Sequence, residues 1–407
     1  MKSEHAKLRV ATGVACIGLL AAACGSAGHA ASSDLSSSAP STSVTTPASG
    51  GSTSTPPPTV APATSSSGRK APLVGLIDMG YQGPYIADQP FPATDPSVLD
   101  AYAGAFSGIV VNESWSQLEP SNGVYDWAPL DESLANVSAW NAQHPSTPLG
   151  VKLRIFAGQS APAWVISASG PEVAVTIGLH ASRNVSVGRF WTGAFRQAWS
   201  TFQHAMAARY DGNPLIRAVS VSSCSSSTGE PFIVPVAGME SRDAMEAAGW
   251  SVQAQESCLQ GALGDYSGWK LTPVTFAFNP LPTAPGFDQA FTTSVMEQCA
   301  ASAANGGPVC QLGNNALSST AASGGLAGTY AEIASLESAP ADVRPGVYFQ
   351  TVGSTLDCSS MSLATGYHAS SVEVWPPIGR LKGFAAIPEQ TLAQWNSDLI
   401  DGQQISC

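Results

Sequence analysis

Eight short segments rich in β-branched and aromatic residues recur along residues 71–407, and this repetition limits the fold more than any other feature of the sequence. Stretches with helical periodicity separate them. Alternating strands and helices predict a parallel sheet, and eight such units are the number that closes a (β/α)8 barrel. The predicted strands cover 72–81, 108–115, 148–158, 216–224, 271–280, 309–317, 344–353 and 370–376.

One helix is predicted most clearly, because Phe195, Trp199, Phe202 and Met206 recur on one face and Gly212 follows its end. An open, doubly wound sheet is the alternative to a barrel, but no glycine-rich phosphate loop follows the first strand. We therefore expect a barrel whose functional site lies at the carboxyl ends of its strands. Weaker helical patterns cover 129–143, 241–262, 289–303, 328–337 and 389–400.

Residues 1–23 have the composition of an export signal: a basic start, an apolar stretch, and small residues before Cys24. Small residues followed by a cysteine resemble a bacterial lipobox, with Ala21 where leucine is commoner. The resemblance implies cleavage before Cys24 and a lipid on that cysteine, and cleavage at an ordinary signal-peptidase site is the alternative. We expect an exported protein, held as a lipoprotein at the outer face of the cytoplasmic membrane or secreted.

Residues 24–70 consist, after the first cysteine, almost entirely of Ser, Thr, Ala, Pro and Gly. Such a stretch cannot bury enough apolar surface to offset its ordering entropy, so we expect a disordered tether. The tether would hold the barrel domain, residues 71–407, away from the membrane, and a tethered monomer is the expected state.

The chain is acidic, with a formal net charge of −12, and only 11% of its residues are charged. Because nucleic-acid binding depends on neutralising phosphates, we expect no nucleic-acid partner. No CxxC or HxxxH spacing occurs and the histidines are scattered, so we expect neither a metal site nor a cofactor.

Six cysteines lie in the predicted barrel domain, apart from Cys16 and Cys24. An even number in an oxidising compartment predicts three disulfides, although several connectivities are open. The favoured pairs are Cys299–Cys310, which would close a short helix-to-strand loop, Cys358–Cys407, which would pin the carboxyl terminus, and the remaining pair Cys224–Cys258.

Polar and aromatic side chains fall near the ends of several predicted strands. Residues two apart on a strand share a face, so if Val372 and Val374 pack outward, Glu373 points into the barrel and Trp375 lies at its rim. The predicted mouth of the barrel holds carboxylates, amides, a cation and aromatic rings: Glu113, Trp115, Arg154, Asn279, Gln350, Glu373 and Trp375.

This combination suits a carbohydrate, whose hydroxyls need amide and carboxylate partners and whose apolar face stacks on tryptophan. Each residue also has a purely structural interpretation. Arg154 could form an ion pair with Glu113 or Glu373, Trp375 could plug one end of the barrel, and Asn279 could cap a loop.

Three passages resemble (β/α)8 glycoside hydrolases of clan A, especially β-galactosidase-like enzymes of family 42. VNESWSQLEPSNGVYDWAPLDESL (111–134) is similar to their second strand and the loop after it, and AGQSAPAWV (157–165) to the loop after their third strand. RYDGNPLIRAVSVSSCSSSTGEPF (209–232) is similar to the passage that leads to their acid/base glutamate. The resemblance implies that Glu230 is the general acid/base.

The surroundings of Glu230 suit that role, because few charges neighbour it and partial burial would raise the pKa of a proton-donating carboxyl. The sequence departs from the family at the seventh strand, where Gln350 stands in place of the nucleophile glutamate. Three explanations are open: the strand count is off by one; Glu373 or Glu113 supplies the second carboxylate, across a wider gap if the mechanism is inverting; or the barrel has lost catalysis and kept binding. Asp78 is a weaker candidate for the second carboxylate. Trp375 would fill the place of the family's tryptophan platform.

Two functional hypotheses follow. One is a surface-tethered glycoside hydrolase acting on an envelope or environmental glycan, with Glu230 and Glu373 catalytic. The other is a non-catalytic carbohydrate-binding lipoprotein on the same scaffold, which the glutamine on the seventh strand favours. A second carboxylate within ~10 Å of Glu230 distinguishes them. A serine hydrolase is not favoured, because no G-x-S-x-G motif occurs.

Overall fold

The computed structural model describes residues 68–80, 91–177, 183–234, 239–283, 286–340, 344–352, 356–377 and 382–407. The predicted export signal, Cys24 and nearly all of the tether lie outside the described residues. Within those residues, no helix combines the length and the apolar character that crossing a membrane requires.

Eight parallel strands pair in chain order, and the last pairs with the first, so that the sheet closes into a barrel. The predicted (β/α)8 fold is confirmed, and every predicted strand overlaps an observed one. The barrel strands are β1 (Gly75–Asp78), β2 (Gly108–Ser114), β3 (Gly150–Phe156), β4 (Ile216–Ser220), β5 (Val274–Ala277), β6 (Cys310–Leu317), β7 (Val347–Thr351) and β8 (Ala369–Val374).

Helices surround the barrel, and two small antiparallel hairpins extend its loops. The described α-helices are α1 (Trp115–Leu118), α2 (Ala128–Gln143), α3 (Ala163–Ser169), α4 (Gly193–Tyr210), α5 (Met239–Ala247), α6 (Val252–Asp265), α7 (Gln289–Ala301), α8 (Ala327–Glu337), α9 (Cys358–Gly366) and α10 (Glu389–Ile400). Short 3-10 helices cover Pro96–Tyr102, Gly324–Leu326 and Gly383–Ala386. The hairpins pair Val173–Ile177 with Arg183–Val187 and Leu281–Pro282 with Phe287–Asp288.

The helix predicted over 241–262 is two helices, α5 and α6. Gly249 adopts a φ of 91°, a left-handed conformation that ends the first helix. Two residues later the Ser251 side chain accepts a hydrogen bond from the amide of Ala254, at 3.1 Å, and caps the second. The periodicity of the two helices is nearly in phase, which is why the pattern predicted a single element.

The main core lies between the barrel wall and the helices. The predicted apolar face of α4 is buried there, and its rings surround one tryptophan of α1. The ring of Trp115 lies 5.3 Å from that of Phe195, 5.0 Å from that of Trp199 and 5.8 Å from that of Phe202. Aromatic rings of this size bury large apolar areas and supply much of the stabilising free energy of such a layer.

The barrel interior has two parts. Toward the amino ends of the strands it is filled by a small apolar cluster of Leu73, Ile77, Val110 and Ala218. Toward the carboxyl ends it is polar and charged. Gly313 permits one close contact there, because a Cβ at this position would lie 2.1 Å from the Tyr348 ring.

All three predicted disulfides are present: Cys224–Cys258, Cys299–Cys310 and Cys358–Cys407. The first joins the segment after β4 to α6, the second joins α7 to the start of β6, and the third joins α9 to the carboxyl terminus. Only the first lies near the predicted Glu230 passage in the chain.

Candidate functional site

One guanidinium lies at the centre of the candidate site. Arg154 on β3 donates from Nη2 to Oε2 of Glu373 on β8, and to Oε1 of Gln350 on β7 at 3.2 Å. Its Nε lies 3.6 Å from Oε1 of Glu230. Because both carboxylates contact the same guanidinium, they lie within the ~10 Å that the carboxyl pair of a glycosidase spans. The structure thus brings four of the predicted site residues together.

A second cation, Lys152, lies two residues before Arg154 on the same face of β3. Its Nζ donates to Oε1 of Glu373 and lies 3.8 Å from the centroid of the Tyr348 ring. Burial lowers the pKa of Lys152 to about 8, although the charge of Glu373 opposes this shift. Both oxygens of Glu373 are therefore held by cations, and its side chain is only 1% exposed.

The environments of the two carboxyl groups shift their pKa values in opposite directions. Burial raises the pKa of Glu230, and the charge of Arg154 offsets this only in part. Burial acts in the same sense on Glu373, but Arg154 and then Lys152 outweigh it and hold the pKa of Glu373 below its ordinary value. One group is suited to donate a proton and the other to remain ionised, which is how acid–base pairs divide their roles.

Glu230 is carried by a segment that we name the Glu230 loop, residues 221–234, which follows β4. Gly229 lies directly against Arg154, since a Cβ there would be 2.8 Å from the arginine Cδ. Phe232 is buried among the aromatic rings of β5 and anchors the far side of the loop. A small residue before Glu230 and an apolar ring after it thus let the carboxylate reach the guanidinium.

Amide side chains form a network where β5 and β6 end. Asn279 donates to Oδ1 of Asn315 at 2.9 Å, and Asn314 donates to Oδ1 of Asn279 at 3.0 Å. Tyr330 of α8 donates to Asn314, which therefore points toward the helices. The network fixes the orientation of Asn279, and its role in binding a ligand stays a prediction.

Trp375 lies half-buried just beyond the end of β8, at the rim where alternation predicted it. Its indole Nε1 donates to the backbone oxygen of Thr351, the last residue of β7, at 2.8 Å. The ring is thereby fixed at the mouth of the barrel, and its role as a stacking platform stays a prediction.

Two predicted residues do not line the mouth, and the expectation for them was wrong. Trp115 is fully buried against α4, and Glu113 accepts a hydrogen bond from Ser133 of α2 at 3.2 Å. Both therefore face the helices. The interior face of β2 is the opposite one, which carries Val110 and Asn112. The alternation was correct, but it was read with the wrong face inward.

Asp78, the weaker candidate for the second carboxylate, is also buried on the helix-facing side of β1, the face that Leu76 shares. Its Oδ1 accepts from the amide of Gly80 at 3.1 Å, and burial raises its pKa to about 7. Glu373 is therefore the better placed partner for Glu230.

Tyr348 is a site residue that the sequence analysis missed. It lies two residues before Gln350 on β7, so the same alternation that places Gln350 in the interior also places Tyr348 there. Burial raises the pKa of its phenol, which stays neutral under the Lys152 ammonium. The ring gives the buried cation a partner that an aliphatic side chain could not supply.

A separate cavity of about 660 Å³ lies outside the barrel wall, between α8 and α9. None of the predicted site residues lines it. Among the described residues, no group of three or more His, Cys, Asp or Glu side chains is placed to hold a metal ion. The residues that line the cavity are Ser319, Ala334, Glu337, Ser338, Ser359, Ser362, Leu363, Gly366, Tyr367 and His368.

The profile of one protein family, Glyco_hydro_42, described as beta-galactosidase, matches residues 107–228. The matched segment begins one residue before β2 and ends two residues before Glu230, and it covers less than a third of the chain. The chain thus resembles family 42 over this segment, as its motifs indicated. No curated protein matches the chain.

Several solved structures are similar in outline. Endo-glycoceramidase II from Rhodococcus sp., in a ganglioside GM3 complex, is 16% identical, with a TM-score of 0.48 over 83% of this chain and 81% of that one. The beta-amylase catalytic domain from Paenibacillus polymyxa is 11% identical, with a TM-score of 0.45 over 74% and 92%. Beta-galactosidase from Marinomonas ef1 is 12% identical, with a TM-score of 0.45 over 81% and 59%. At these scores the fold rests on the strand topology alone, and no activity is carried over.

Replacing Glu113 by glutamine is expected to flatten the dependence of stability on pH. Burial raises the pKa of Glu113 from 4.5 to about 8. The folded state therefore keeps a proton that the unfolded chain releases, and stability that is full at acidic pH is lost as the pH rises between these values. Between pH 4.5 and about 8 the free energy of unfolding should fall less for Glu113→Gln than for the wild type. The difference should be a few kcal/mol, because a pKa difference of one is worth about 1.4 kcal/mol. Urea unfolding at several pH values measures it.

The matched control is Glu297→Gln, which removes an exposed glutamate from the middle of α7 and should change the slope far less than Glu113→Gln does. If Glu113→Gln and the wild type have the same slope, burial does not raise the pKa of Glu113 in the folded state, and the expectation is contradicted.

Proposed function

We propose that the protein is a glycoside hydrolase in which Glu230 is the general acid and Glu373 is the ionised carboxylate of the pair. One observation carries the proposal: Arg154 contacts both carboxylates at the carboxyl ends of the barrel strands, and their pKa values are shifted in opposite directions. The resemblance to family 42 over residues 107–228 supports the same class of reaction.

In this reaction Glu230 gives its proton to the leaving glycosidic oxygen as the bond to the anomeric carbon breaks. Its side chain is 12% exposed, so part of the carboxyl reaches the mouth while burial raises its pKa. Glu373 remains negative and stabilises the positive charge that develops on the sugar ring. Activation of water by Glu373 would invert the anomeric configuration and direct attack would retain it, so the first-formed anomer distinguishes these courses.

Carbohydrate binding without hydrolysis is the second candidate. It is favoured by Gln350, which stands on β7 where the resembling family has its nucleophile, and by the two cations that occupy both oxygens of Glu373. A binding protein would keep the polar mouth and the rim tryptophan and would lack turnover.

We also propose that the protein is an exported, monomeric lipoprotein that acts on an envelope or environmental glycan. The composition of residues 1–23, the cysteine at position 24 and the small-residue tether support this location. Growth with a labelled fatty acid should label the wild type but not Cys24→Ser. Equal labelling of the two would contradict the anchor.

Replacing Glu230 by glutamine is expected to lower kcat by about 10² or more on aryl glycosides and polysaccharides, because glutamine has no proton to give to the leaving group. The matched control is Glu240→Gln, which removes an exposed glutamate from α5, ten residues along the chain. Steady-state kinetics of the three proteins measure the effect. Wild-type activity that survives in Glu230→Gln would place the chemistry elsewhere, and glycan binding without turnover would favour the second candidate.

The pH profile of kcat/KM is expected to be broad, because each carboxyl titrates away from its ordinary range. Glu230 has to be protonated and its pKa is raised, so activity falls only as the pH rises above the ordinary range of a glutamate. Glu373 has to be ionised and its pKa is lowered, so activity falls only as the pH drops below that range. The residual activity of Glu230→Gln should lack the alkaline limb. A narrow profile centred on one ordinary glutamate pKa would contradict these roles.

A further inference from the structure

We infer that the Cys224–Cys258 disulfide is a positioning element of the candidate site: it holds the Glu230 loop in the conformation that places Glu230 against Arg154. The inference rests on the proposed function and adds a residue pair to it. Its basis is the way the loop is attached to the rest of the fold.

The start of the loop is fixed to α6 and the residue that follows it. The amide of Ser222 donates to the hydroxyl of Tyr266 at 2.7 Å, and the hydroxyl of Ser223 donates to Asp265 at 2.6 Å. The next residue, Cys224, carries the disulfide. Three consecutive residues are therefore held by α6 and the residue that follows it.

The remainder of the loop is held by the buried ring of Phe232 and by side-chain hydrogen bonds. The hydroxyl of Ser226 donates to the oxygen of Ile233 at 2.9 Å, and the amide of Glu230 donates to the hydroxyl of Thr228 at 3.2 Å; both bonds lie within the loop. Its own backbone hydrogen bonds are long: 3.3 Å from Ser225 to Ser222 and 3.4 Å from Ile233 to Glu230. A shorter one, of 2.8 Å, joins the amide of Gln159 to the oxygen of Ser226. The direction in which the chain leaves Cys224 therefore acts together with these contacts to place Glu230.

The backbone of Cys224 has an unusual conformation. Its φ is 64°, in the left-handed region that a residue with a Cβ adopts only at a steric cost. The contact from Gln255 to the backbone oxygen of Cys224 is 3.5 Å long and too weak to offset that cost. Within the described residues, the disulfide is the only covalent constraint on this conformation.

Without the disulfide, Cys224 would relax to a negative φ and turn the following residues. Glu230, which lies 3.6 Å from Arg154, would then move relative to it, and so would Gly229, where a Cβ would lie 2.8 Å from the arginine Cδ. A displacement of about 1 Å at a catalytic group can cost about 10² in rate. Both cysteines are buried, at 3% and 1% exposure, so the pair acts as a permanent constraint and not as a switch.

The fold supplies a matched control. Cys299–Cys310 is equally buried, but it joins α7 to the start of β6, at the opposite end of the barrel from the mouth. The sequence separations are 34 and 11 residues, and because chain entropy grows only with the logarithm of loop length, it predicts comparable losses of stability. Only one of the two bears on Glu230.

The experiment compares Cys224→Ala/Cys258→Ala with Cys299→Ala/Cys310→Ala, both in the full chain and well below their midpoints of thermal unfolding. We expect the first pair to lower kcat by about 10², to move the alkaline limb of the pH profile toward an ordinary glutamate, and to speed amide hydrogen exchange in residues 221–234. The second pair should lose a comparable amount of stability. It should keep the wild-type kcat, the wild-type alkaline limb of the pH profile and the wild-type amide exchange rates in residues 221–234.

A further variant, Cys224→Gly/Cys258→Ala, lacks the same disulfide but has no backbone strain at position 224, because glycine adopts the φ of 64° freely. It should fold more readily and, because no strain turns the loop away from Arg154, keep more of the wild-type kcat than the alanine pair does. Equal kcat and equal loop exchange in the site pair and the control pair would overturn the inference. If the wild type cleaves no glycoside at all, the proposed function fails, and the exchange rates of residues 221–234 alone decide whether the disulfide positions the loop.

Discussion

The candidate site depends on the ion pair between Arg154 and Glu373. Both groups are removed from water, and a buried charge is tolerated only when a partner and further hydrogen bonds compensate it. Glu373 has two cations on its two oxygens, and the guanidinium reaches Gln350 and Glu230 as well. Loss of any member leaves another charge uncompensated. The cluster is therefore a single electrostatic unit, and the pKa of Glu230 is a property of the whole unit.

Closure of the barrel is what assembles this unit. Arg154 and Glu373 are 219 residues apart in the chain and lie on strands that are not neighbours in the sheet, so they meet only across a closed interior. The apolar layer of Leu73, Ile77, Val110 and Ala218 seals that interior from below. The charges are thus confined to the end of the barrel where the loops lie, which is where a ligand can reach them.

The sequence was sufficient to predict the barrel, the strands, the disulfide pairs and the interior face of β8. It failed where a choice depended on tertiary contacts. Alternation pairs Glu113 with Trp115 but does not say which face is inside, and the aromatic cluster on α4 decided it. Tyr348 was overlooked because a tyrosine on a strand usually signals packing, and only the ammonium above it reveals another use. The Arg154 contacts join four strands or loops, which no local pattern encodes.

The same cluster explains why binding and hydrolysis are close alternatives on this scaffold. A carboxylate held by two cations keeps its charge, which suits stabilisation of a cationic transition state, but it is a weaker nucleophile than a carboxylate with a free oxygen. Gln350 cannot replace it and contributes only an amide oxygen to Arg154. The proposed chemistry therefore rests on Glu230. Burial raises the pKa of this carboxyl although the Arg154 cation opposes the shift, and a carboxyl that keeps its proton to higher pH is what a general acid needs.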